Sequence, residues 1–315
     1  MSPTKPPHQS LSQLRAASYS QIVNHIGPIL RKRVAEQGSY VNDLLSTLDI
    51  GVTDLDLATG IPGHQQPPFI QPIPAKQLLQ CLSKSQPWVR DPDFEPRDPE
   101  DNVWDANIWA AERLLYFLHA WLFRSNGSET PLIEYSNWLL HPGGPEAQIL
   151  NRKTYKKNRG WVVWEVYYYF RQPSKDVKID RSNSHHWDTS KPHITCVVQD
   201  DAPLIDGKIS ASELCAIVWL AGKRGTDARY GAHAIIPITV ITLSGSQARI
   251  VQGNWNVITG KIILYKSRIM DLGDGPWVIS KDGKSRDVHP DLLHLLGWFV
   301  GSPVGDTVVQ TPQRR

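Results

Sequence analysis

Apolar and polar positions alternate most regularly in GWVVWEVYYYFR, residues 160–171. Val162, Trp164, Val166, Tyr168 and Phe170 fall on one side of this stretch, and Trp161, Val163, Glu165, Tyr167 and Tyr169 on the other. A period of two, filled with β-branched and aromatic residues, predicts a β-strand. HITCVVQ (193–199) predicts a second strand. AIIPITVITLS, QARIVQGN and KIILYKSRI predict three more, joined by SGS and by WNVITG. Connections this short force antiparallel neighbours. Pro237 within the first of these three predicts an edge strand or a bulge, because proline cannot donate to a ladder.

Helical periodicity dominates elsewhere. Leu11, Leu14, Tyr19, Ile22, Val23 and Ile26 form a stripe, and Gly27-Pro28 predicts a break that divides residues 11–36 into two pieces. A short helix follows the Pro-rich connector, around Ala75–Lys84. NVWDANIWAAERLLYFLHAWLF (102–123) is apolar over most of its circumference and so predicts a helix buried in a core. ISASELCAIVWLAGKRG carries a capping box, Ser210 with Glu213, and basic residues in its last turn. Pro290 opens a last helix that ends before Gly301.

Helices first and strands afterwards predict an α+β fold. The expected architecture is a helical N-terminal half packed on a C-terminal antiparallel sheet, with a three-strand meander and a terminal helix. The corresponding division gives a disordered tail at 1–10, a mainly helical half at 11–150, a β-rich half with two helices at 151–305 and a disordered tail at 306–315. One domain in total is equally compatible with the pattern.

Composition narrows the picture in a few places. Hydrophobic residues make up 40% of the 315 and charged residues 21%, enough apolar content to bury a sizeable core. A net charge of +3 is too mild to argue for nucleic acid by itself. Twelve tryptophans against two methionines supply large rigid apolar area for cores, interfaces or flat-ligand pockets. Cys81, Cys196 and Cys215 are widely spaced and form no C-x-x-C pair, which fits a reducing compartment. The N-terminal stretch lacks the apolar segment of a signal peptide, and no run approaches 18 apolar residues. The expectation is therefore a cytoplasmic or nuclear protein that does not enter a membrane.

The run RIVQGNWNVITGKIILYKSRIMD, followed by LLGWFVGSPVGDT, resembles the C-terminal pattern of uncharacterised proteins from filamentous fungi. The likeness covers about the last third of the chain. No activity attaches to that group, so the resemblance implies none here.

Four sets of residues are candidates for function. His186-Trp187-Asp188 has the H-x-D form of the facial triad that holds non-haem iron(II), in which two histidines and a carboxylate leave positions open for oxygen and substrate. His233 is the best-placed third ligand, and Arg249 is suited to hold an oxo-acid co-substrate in a bidentate grip. The strand after Asp188, HITCVVQDD, is similar to the stretch that follows this motif in 2-oxoglutarate-dependent oxygenases. That resemblance implies iron(II) and a jelly roll of about eight strands. The chain has too few strands for one, so no cofactor is predicted and iron(II) stands as the alternative. The aromatic strand offers Trp161, Trp164, Tyr167 and Tyr169 as a surface for a hydrophobic small molecule or a protein partner. Lys153, Lys156, Lys157 and Arg159, interleaved with aromatics, are what backbone neutralisation and base stacking on a nucleic acid need. Cys215, early in its helix, is a candidate nucleophile, although its apolar neighbours favour a buried structural thiol. The preferred reading is a non-catalytic ligand- or protein-binding protein, with the iron oxygenase and the nucleic-acid-associated protein as alternatives.

Overall fold

The connection between two neighbouring strands, β6 (Ile194–Asp200) and β7 (Ile235–Ser244), sets the architecture. They pair in parallel, from Ile194 opposite Ile238 to Gln199 opposite Leu243. Parallel neighbours need a long crossover, and the helix α6 (Ala211–Thr226) supplies it. The computed structural model describes residues 10–36, 39–63, 67–82, 106–123, 132–140, 152–154, 159–169, 187–273, 277–279 and 286–308.

A nine-stranded mixed sheet runs through the molecule. Its main path is β1 (Gly51–Asp54), β9 (Ile262–Lys266), β8 (Gln247–Asn256), β7, β6, β5 (Arg159–Tyr169) and β3 (Trp138–Leu140). The short strands β4 (Arg152–Thr154) and β10 (Met270–Asp271) pair with β5 and β8. Two further small ladders join Trp277–Ile279 to Arg286–Val288, and Ser302–Pro303 to β2 (Ile70–Gln71).

This overturns the expected antiparallel C-terminal sheet with its three-strand meander. β7, β8 and β9 are consecutive antiparallel neighbours, but they form the middle of a larger mixed sheet. β1 lies parallel to β9 and β3 antiparallel to β5, so a stretch read as mainly helical supplies two of the strands along that path. Pairings between residues some two hundred positions apart leave no local trace in the sequence.

Helices cover both faces. On one lie α1 (Leu11–Gln21), a single π-helical turn at Ile22–Ile26, α2 (Gly27–Ala35) and α6, around a core that includes Ile22, Ile26, Ile217, Val240 and Trp255. On the other lie α4 (Ala75–Leu82), α5 (Ala106–Phe123) and α7 (Pro290–Phe299), with Leu78, Leu118, Ile241, Ile250 and Leu296 in the core. A short helix α3 spans Asn42–Leu45. The result is three layers, helices–sheet–helices. Among the described residues, no helix is long and apolar enough to cross a membrane.

Three local expectations need correction. Gly27-Pro28 does not break the first helix. The π-turn lets the Gly27 N–H reach Ile22 O, and Pro28 falls at the start of α2, where its missing N–H is tolerated. Pro237 is neither on an edge strand nor at a bulge; β7 is central, and Pro237 lies one residue before β6 begins to pair with it at Ile238. The bulge is in β5 instead, where the register with β6 shifts between Val163 and Glu165. It flips the alternation, so Trp161 and Val163 share a core with Val166 and Tyr168, while Tyr167 joins the opposite core.

Candidate functional site

The loop leading into β6 and His233, two residues before β7, are neighbours, as the iron reading required. They meet with both ring nitrogens of His233 already within hydrogen-bond distance of other groups. His233 is buried; its Nδ1 is 2.7 Å from Thr307 Oγ1 and its Nε2 is 2.8 Å from the Thr189 carbonyl. Asp188 closes its own turn, accepting from the Ser190 amide at 2.9 Å and the Ser190 hydroxyl at 2.7 Å. His186 lies outside the described residues. Among the described residues, no three His, Cys, Asp or Glu side chains gather where they could hold a metal ion.

Arg249 is not brought to this loop. It lies on β8 at the other end of α6, fully buried against Glu213, with Nε 2.9 Å from Oε1 and Nη2 2.6 Å from Oε2. Its Nη1 donates to the carbonyls of Ile205 and Lys208. Glu213 also accepts from Thr242 Oγ1 and closes the capping box on Ser210. This arginine ties the start of α6 to β7 and β8, with four of its five N–H donors taken and its side chain closed off from solvent.

The aromatic strand packs into the two cores at most of the positions considered. Trp161 and Tyr167 are buried on opposite faces. Tyr167 donates to Glu165, whose other oxygen is 2.5 Å from His119 Nε2 on α5. Tyr169 is half-buried; its hydroxyl accepts from Asn137 and its ring meets Trp138 edge-on. The Trp164 side chain lies outside the described residues, as do Lys156, Lys157 and the side chains of Lys153 and Arg159. Cys215 is partly buried, and Cys196, fully buried, has its thiol pushed far above the usual range by burial.

A cleft opens elsewhere among the described residues. It measures about 490 Å³ and runs between α1 and the end of α6, lined by Leu11, Arg15, Ala16 and Tyr19 on one side and by Gly225, Asp227 and Gly231 on the other. Arg15 holds the two sides together. Its guanidinium donates to the carbonyls of Gly225 at 2.9 Å and Tyr230 at 2.8 Å, and to that of His233. These include carbonyls at and just beyond the C-terminus of α6, where a cation is favoured. Gly225 lets α6 approach the sheet, since a Cβ there would sit 2.1 Å from Trp255 on β8, whereas one on Gly222 would make ordinary contact with the Tyr19 ring at 3.4 Å.

No family model, curated protein or solved structure matches the chain. The cleft must therefore be read from its own chemistry. Its walls are mostly small or apolar, with one cation already bound to carbonyls and one carboxylate, Asp227, gripped by Arg229 at 2.9 and 2.6 Å. Three of the exposed large apolar side chains belong to the same helical layer: Tyr19 at 38%, Val23 at 41% and Trp219 at 42%. Val23 follows Tyr19 by one turn, and Trp219 precedes Gly222 by about one, so the apolar surface extends from the cleft along both helices. The α1 stripe was visible in the sequence, but the cleft beside it left no local signal.

Proposed function

We propose that the chain is a ligand-binding protein whose site is the cleft between α1 and the end of α6, and that the ligand is an apolar small molecule. The observation that supports this is the cleft itself. Its volume of about 490 Å³ falls within the range of small-molecule sites, and its lining joins apolar walls to a few fixed polar groups. Exposed Tyr19, Val23 and Trp219 extend the apolar surface beyond its mouth. The widely spaced cysteines favour a reducing setting, cytoplasmic or nuclear, for this activity.

The test is a fluorescence titration with 1-anilinonaphthalene-8-sulfonate, a naphthalene probe that brightens in apolar surroundings. The folded protein binds it saturably at one site. Ala16→Trp, which fills the cleft from an exposed position on α1, weakens binding at least tenfold while the near-ultraviolet circular dichroism of the core is retained. Probe binding that ignores Ala16→Trp, or no binding by the folded protein, overturns the reading.

A further inference from the structure

On the far side of the same turn, Arg224 is 97% buried by its 3% exposure, yet it lies in an aromatic box rather than an ion pair. Its guanidinium carbon is 4.2 Å from the Tyr230 ring centroid, 4.6 Å from that of Tyr168 and 5.2 Å from that of Trp187. Tyr168 and Trp187 stack on each other at 4.5 Å, and Arg229 covers Trp187 at 4.5 Å. Among the described residues, Arg224 makes no side-chain hydrogen bond and no ion pair, and its buried Nε has no partner.

A buried guanidinium ordinarily finds carboxylates or carbonyls for its five donors. Cation–π contact with three rings offsets part of the desolvation but satisfies none of the N–H groups. Neither nearby carboxylate bonds to Arg224 among the described residues. Asp227 accepts Arg229 through both oxygens, and Asp188 Oδ1 accepts from Ser190. Other cations stand around the box: Lys223 beside Arg224, and Arg15 and Lys191 near His233. Burial, with the fields of Arg15, Lys191 and Arg224, holds His233 below the ordinary histidine range.

We propose that the Arg224 box is an oxyanion-binding site, taking a carboxylate or phosphate group between the Arg224 guanidinium and the Tyr230 hydroxyl. The rings hold the guanidinium in place, and its planar fork matches the two oxygens of a carboxylate or phosphate. Tyr230 adds an O–H that makes no hydrogen bond among the described residues. The anion supplies the missing countercharge. The site uses none of the apolar wall of the cleft, so it stands or falls independently of the apolar ligand.

The test is calorimetric titration of the full chain with inorganic phosphate and, separately, with acetate, at ionic strength held constant with chloride. The wild-type protein binds at least one of the two saturably, and the arm that binds identifies the class of anion. Arg224→Met, which keeps the length of the side chain inside the box, abolishes binding. Arg224→Lys keeps the charge but loses the fork and binds at least tenfold more weakly; it also serves if the Met variant does not fold. Tyr230→Phe weakens binding severalfold with the rings in place. No binding of either anion by wild-type protein overturns the proposal, as does binding that Arg224→Lys leaves unchanged, and the box is then a packing device only.

Discussion

Arg249 and Glu213 form a bidentate ion pair with no exposure on either side chain, joining β8 to the first turn of α6. Removing one member of such a pair leaves an uncompensated charge out of contact with water, at a cost of about 3–5 kcal/mol. Arg249→Met therefore lowers unfolding stability by about that amount in urea denaturation. Glu213→Gln is costly as well, because it leaves the Arg249 cation uncompensated and turns the amide NH2 toward an arginine donor. The double variant costs less than the sum of the two, since the second change removes a charge already orphaned.

Asp200, at the end of β6, accepts from Ser212 Oγ and from the Ala202 amide, and burial raises its carboxyl from 3.8 to about 7. The folded chain therefore holds a proton that the unfolded chain releases near pH 4. Its contribution to stability is fully present below that point and is lost as pH rises toward 7. Asp200→Asn removes this dependence, and its stability between pH 4 and 7 falls less steeply than that of the wild type in denaturant titrations at fixed salt.

His193, just before β6, acts with the opposite sign. Burial, with a smaller contribution from Lys191, lowers its imidazole from 6.5 to about 3, while Nε2 lies 3.1 Å from the Val304 carbonyl. The folded chain keeps this ring neutral where the unfolded chain takes a proton. Stability from this site is present above pH 6.5 and is lost as pH falls toward 3. In the same titrations, His193→Gln retains more of its neutral-pH stability at pH 4 than the wild type does.

Gly225 is predicted to be intolerant of a side chain. An added Cβ would lie 2.1 Å from Cζ3 of fully buried Trp255. Overpacking of this kind costs about 1–3 kcal/mol. Gly225→Ala should show that loss in thermal unfolding, and combining it with Trp255→Leu should cost less than the two separate losses added together.

Legibility in the sequence followed the range of the interactions. The Ser210–Glu213 capping box, the strand at 160–171 and the helix opened by Pro290 are set by neighbours within a few positions, and each is found in place. The sheet order is not local. β1 pairing with β9, and the parallel pairing of β6 and β7, join segments through buried apolar surface that any strand order could have supplied. The Trp164 bulge inverted an inferred face because alternation cannot register one extra residue. At the site, the pattern H-x-D was visible but the occupation of His233 by Thr307 and Thr189 was not. Arg15 and Arg224 gave no signal at all, since their roles arise only where α1 and Trp187 meet the end of α6.

The central claim is that the cleft beside α1 is where a ligand sits. Backbone amide chemical-shift mapping of labelled protein, titrated with 1-anilinonaphthalene-8-sulfonate, locates the probe directly. The account predicts saturable shifts concentrated at Leu11, Ala16, Tyr19, Gly225 and Gly231, with β5 and α5 unmoved. Shifts centred on the aromatic strand, or scattered without saturation, would contradict it.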